Sequence, residues 1–167
     1  MKFRHIFLAV VVVAGMVVVS HSVASAQGVT YFATLVGGNE IDTATGQAAQ
    51  GDPNGYGSAT VILVGTGTVC FGIVFHRIET PTVGHIHANV AGAIGDIVIP
   101  LFGDPSPIPA PSSGNPGTVS GCVSASDFAD PAKIRDAIAL IRANPSRFYV
   151  NVHNSAFGAG AIRGQLY

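Results

Sequence analysis

Charge is scarce in this chain of 167 residues: acidic and basic side chains together make up 10% of it, nine against eight. Beyond residue 26 the cations are Arg77, Lys133, Arg135, Arg142, Arg147 and Arg163, and no basic run occurs. The electrostatic footprint of a nucleic-acid partner is therefore missing. Long apolar runs are scarce too. After "IFLAVVVVAGMVVV" near the N-terminus, no segment approaches the roughly 20 apolar residues that span a bilayer. There are only two cysteines, Cys70 and Cys122, and no C-x-x-C pair, which argues against a redox-active dithiol or a thiolate zinc site. No fixed-period repeat, P-loop, dinucleotide fingerprint or G-x-S-x-G elbow is present. The many glycines lack the strand-to-helix context of those motifs and read as turn residues.

The N-terminus carries an address. A basic flank, "MKFRH", precedes the apolar run, and "SHSVASAQ" follows it with Ala24 and Ala26 at the A-x-A spacing. This pattern predicts a signal peptide over 1–26, cleaved before Gln27. An uncleaved membrane anchor is the alternative, against which the shortness of the run argues. No cysteine follows the cleavage point to carry a lipid. The expectation is a single domain over 27–167, secreted or periplasmic, with no membrane partner after cleavage. An oxidising compartment lets a bridge persist, so a Cys70–Cys122 disulfide is expected, with two separate buried thiols as the alternative.

Short apolar runs bounded by Gly, Pro and Asn recur along the chain: "VTYFATLVG", "YGSATVILVGTGTVCFGIVFHRI", "VGHIHANV", "GDIVIPLF", "TVSGCVSA", "RFYVNVHN" and "AIRGQLY". Their lengths are those of strands, and "GTGT" supplies the turn of a hairpin. The fold class is all-β, an antiparallel sandwich or barrel. Two stretches, "GGNEIDTATGQAAQGDPNGYG" and "GDPSPIPAPSSGNPG", are too rich in turn residues and prolines to be anything but loops. One short amphipathic helix is predicted near 131–144. Asp130 caps it, Pro131 takes its first position, Ile134, Ile138 and Ile141 share a face, and Pro145 stops it.

Strand alternation sorts the unusual polar residues. In "VGHIHANV", His85 and His87 point the same way. In "RFYVNVHN", Tyr149, Asn151 and His153 oppose Phe148, Val150 and Val152. In the last strand, Arg163 and Gln165 oppose Ile162, Gly164 and Leu166. If these polar faces coincide, they form a cluster of hydrogen-bonding groups around one cation, Arg163, for which Glu40 is the candidate partner.

The order of these motifs resembles the CHRD domain family, the module repeated in chordin and found singly in exported bacterial proteins. The resemblance rests on "YFATLVGGNEI", "VGHIHANVAGAIGDIVIPLF" and "RFYVNVHNSAFGAGAIRGQL". It implies a β-barrel or sandwich of immunoglobulin-like appearance and an extracytoplasmic binding role rather than catalysis. The family commonly has an acid immediately before I-R-G-Q, where this chain has Ala161.

Three readings of the cluster stay open. His85, His87 and His153 offer the three imidazoles that zinc or copper accepts, on an H-x-H strand like that of the superoxide dismutase barrels, a reading that extends to a redox or dismutase-like enzyme. The dismutase likeness goes no further, because only His76 remains to complete a second metal site. Alternatively, the histidines organise a polar interior at one end of the barrel. Finally, Asn151, Arg163, Gln165 and Glu40 form a pocket for a small polar or anionic ligand, with Arg163 as its charged anchor, or a surface for a protein. Ser155 lies close to His153 in sequence, but adjacency in sequence is not a triad, and no catalytic triad is named.

Overall fold

A computed structural model describes residues 27–42 and 44–167. The expected signal peptide lies outside the described residues. The strands are β1 (Val29–Val36), β2 (Tyr56–Val64), β3 (Thr68–His76), β4 (Pro81–Ala88), β5 (Asp96–Phe102), β6 (Gly117–Ser124), β7 (Phe148–Asn154) and β8 (Ile162–Gln165), with the helix α1 (Pro131–Ala143) between β6 and β7. All eight strands join one sheet in the order β5-β4-β7-β8-β1-β2-β3-β6. Every pairing is antiparallel. The two edge strands, β5 and β6, approach each other, so the sheet rolls into a nearly closed barrel. Closure of this kind protects edges that would otherwise template aggregation.

Alternation builds the core. Tyr31, Ala33 and Leu35 of β1, Ala59, Val61 and Leu63 of β2, and Val69, Phe71, Ile73 and Phe75 of β3 point inward. The β2–β3 hairpin turns at Gly65, whose φ of 55° lies in the left-handed region that favours glycine. Helix α1 starts as its sequence dictates. The Asp130 carboxylate accepts from the N–H groups of Ala132 and Lys133, and Pro131 follows. Ile134, Ala137, Ile138 and Ile141 are buried against β5 and the rest of the core. Arg142 donates to the carbonyls of Leu63 and Gly65 at 2.8 and 2.7 Å, which ties the last turn of the helix to the β2–β3 hairpin. No helix among the described residues is long and apolar enough to cross a membrane.

Cys70 and Cys122 are bonded. They are direct partners in the β3–β6 register, with Cα atoms 3.9 Å apart, on the outward face. The bridge therefore staples the edge strand β6 to its neighbour and does not cross the core.

Strands β4 and β7 break the one-face rule: residues from Gly84 to His87 and from Phe148 to Val152 are all buried. Ile86, Val150 and Val152 belong to the barrel core, so the opposite residues, His85, His87, Tyr149 and Asn151, are buried on the outside of the sheet. The segment around Glu40 and Ile41 and the loops 89–95 and 155–160 cover them there. This corrects one sequence expectation: the polar cluster is not a polar interior of the barrel. The interior is filled by apolar side chains, and the polar residues form a second layer between sheet and loops.

Candidate metal and ligand site

Register assembles the cluster from strands far apart in sequence. His85 of β4 is opposite Asn151 of β7, and Asn151 is opposite Arg163 of β8. In the next row of the same face, His87 is opposite Tyr149, and Tyr149 opposite Gln165. His153 is paired with Val83, one step along the same side. The ring centroids of His85 and His153 are 5.2 Å apart, those of His85 and His87 5.7 Å, and those of His87 and His153 6.2 Å. One nitrogen from each ring can be chosen so that all lie within 4.8 Å of one another. Imidazole nitrogens about 2.0 Å from a tetrahedral ion stand about 3.3 Å apart, so small ring rotations bring the three onto one ion.

The hydrogen bonding of the rings is incomplete in a particular way. His87 Nδ1 lies 2.9 Å from the Gly95 carbonyl, and His153 Nδ1 lies 3.1 Å from that of Gly158. A carbonyl can only accept, so both rings carry their proton on Nδ1 and leave Nε2 as a lone pair. Both Nε2 atoms are buried without a partner, as is His85 Nδ1. A backbone carbonyl on the far nitrogen is the usual support of a metal-ligating histidine. Burial lowers the pKa of all three rings. For His85 it falls to about 3, through desolvation first and then the neighbouring His153 and His87. The rings are neutral at physiological pH, the form that coordinates metal.

Glu40 is 3% exposed and accepts from Asn151 Nδ2 at 3.3 Å. Burial raises its pKa to about 8 against the opposing pull of Arg163 and of the Asn151 hydrogen bond. Its carboxyl group packs on Gly160, whose φ of 147° and lack of Cβ leave it room. Glu40 and Arg163 feel each other's charge, yet among the described residues they make no ion-pair contact.

Arg163 is engaged elsewhere. Its Nη2 donates to the carbonyls of Ala93 and Val90 at 2.6 and 3.4 Å, and its guanidinium lies 3.4 Å over the Tyr149 ring. Gln165 donates to the carbonyls of Asn89 and Ser146, both at 2.7 Å. The Tyr149 hydroxyl accepts from the Gly95 N–H at 3.1 Å, and the ring stacks on His87. Arg163, Gln165, Tyr149 and His87 thus clamp the loop 89–95 over the sheet.

Between these loops opens a cleft of about 570 Å³ whose walls include Glu40, His87, Tyr149, Asn151, His153 and Arg163. Ile41 also lines it, and the exposed Ile94, Asp96 and Ile97 lie at its edge. His76 stands apart, stacked on Tyr56, and Ser155 donates to Glu79. Ala161 is fully buried, its carbonyl accepting from the Asp52 N–H, and the carboxyl group near Arg163 is that of Glu40. The supporting carbonyls of Gly95 and Gly158 left no trace in the sequence, because any residue type carries a carbonyl. Tyr149 had a signal in its strand parity, which placed it on the polar face without revealing its loop contact.

The family model for the CHRD domain matches residues 31–166 of the chain. No curated protein and no solved structure gives a match.

Proposed function

The chain belongs to the CHRD domain family, and on that premise we propose that it is an exported binding module whose ligand is a zinc or copper ion held by His85, His87 and His153. The observation that carries this reading is the grouping of three imidazoles that can bring one nitrogen each within 4.8 Å of one another, every ring keeping a buried nitrogen without a partner. A purely structural cluster has no reason to leave them so, since each unpaired buried polar atom costs about 1–3 kcal/mol. The donor set, imidazole without thiolate, suits zinc and copper. Export is supported by the N-terminal signal pattern and by the disulfide, which oxidising compartments preserve. The mature domain is then 27–167, acting by binding rather than by catalysis.

Elemental analysis of exported protein purified without a His-tag tests the function. One equivalent of zinc or copper is expected, and none in His85→Ala. Sub-stoichiometric metal that stays so after incubation with both ions would refute it. Mass spectrometry of the same sample should find Gln27, or its cyclised form, at the N-terminus. An intact Met1 in a membrane fraction would contradict export by this route.

A further inference from the structure

Three imidazoles leave a zinc or copper ion at least one position for another ligand. That ligand must enter from the cleft that His87 and His153 share with Glu40, Asn151 and Arg163. The cleft wall has a definite hydrogen-bonding character. Glu40 Oε1 and Asn151 Oδ1 are buried and have no partner. Asn151 Nδ2 is already engaged with Glu40 Oε2. Arg163, the one cation of the lining, has its Nη2 on the carbonyls of Val90 and Ala93 and its face on Tyr149. Asp96 adds an acid at the rim. Above about pH 8, where Glu40 is ionised, the buried atoms still lacking a partner on this wall are therefore acceptors. An anion such as azide or chloride would set lone pairs against lone pairs in a desolvated space, whereas a ligand bearing two N–H groups satisfies both oxygens. Beyond the polar wall, Ile94 and Ile97 line the way out, 42% and 52% exposed, with Ile41 buried beneath.

Resting on the metal reading above, we propose that the open position of the ion selects a primary amine with a short aliphatic body over acceptor-only anions. Glu40 and Asn151 are the specificity-determining residues. The amine nitrogen binds the ion through its lone pair, its two N–H groups reach Glu40 Oε1 and Asn151 Oδ1, and the carbon chain lies against the isoleucines.

The test uses the mature chain loaded with cobalt(II), whose visible spectrum reports the ligands of the ion. Butylamine, methylamine and sodium azide are titrated at pH 8.5, with amine affinities expressed per free base. Butylamine is expected to bind more than tenfold tighter than azide and tighter than methylamine. Glu40→Gln, which can turn an N–H toward the cleft, should lower the amine-over-azide ratio about fivefold to tenfold, the worth of one hydrogen bond. Asn151→Leu should lower it similarly, and one-equivalent cobalt uptake by either variant confirms that its site is intact. Azide binding as tight as butylamine in the unaltered protein, or a ratio unmoved in both variants, overturns the ligand selection and leaves the metal site standing. Failure of the unaltered protein to take up one equivalent of cobalt overturns both.

Discussion

At the scale of the residue, the site is a set of titratable groups held in their neutral forms by burial, and the signs of the shifts make a prediction. His85 falls from 6.5 to about 3, and His87 and His153 are lowered as well. The unfolded chain binds more protons than the folded one below about pH 6.5, so acid removes stability in that window. Glu40 rises from 4.5 to about 8, so the folded state binds the extra proton between those values and stability falls as pH rises through them. Three histidines outweigh one carboxyl group up to about pH 6.5, and above it Glu40 acts alone. The metal-free protein should therefore melt highest near pH 6.5, with each net proton worth about 1.4 kcal/mol per pH unit. Calorimetry across pH 4 to 9 checks this, and Glu40→Gln should abolish the decline on the alkaline side. With zinc present at about a hundred times its Kd, the unaltered protein should gain about 2.7 kcal/mol. His85→Ala should gain nothing and melt identically with and without chelator.

At the scale of the element, the loop 89–95 owes its position to side chains from other strands. Arg163→Ala removes two charge-assisted hydrogen bonds and the cover of Tyr149. We expect a loss of roughly 1.5–3 kcal/mol and faster amide exchange confined to that loop, read by hydrogen exchange mass spectrometry. The Cys70–Cys122 staple should contribute about 2–5 kcal/mol, measured as the drop in denaturation free energy on replacing both cysteines with alanine. The strands, the Asp130 cap and the opposite faces of β4, β7 and β8 were legible in the sequence because each rests on a local period or a local hydrogen bond. Sheet order was not legible. The neighbours β4 and β7, β8 and β1, and β3 and β6 are far apart in the chain, and alternation carries no information about which strand lies beside which. Nor could sequence show that Arg163 and Gln165 reach backbone carbonyls, so Arg163 read as the charged anchor of a ligand pocket, with Glu40 as its partner, when its guanidinium serves the loop.

At the scale of the whole molecule, a nearly closed eight-stranded sheet fills its interior with apolar side chains. Its binding chemistry has to lie outside, where loops roof the outer faces of β4, β7 and β8. This division lets the disulfide, the core and α1 stabilise the barrel, while the roofed cleft carries a desolvated polar site that costs stability until it is filled. The most direct measurement of the central claim is X-ray absorption at the metal edge of the zinc- or copper-loaded mature protein. The account predicts an ion whose nearest shell contains three imidazole nitrogens at about 2.0 Å, with one such ring lost in His85→Ala. An oxygen-only shell without imidazole scattering, or a spectrum unchanged by that substitution, would contradict it.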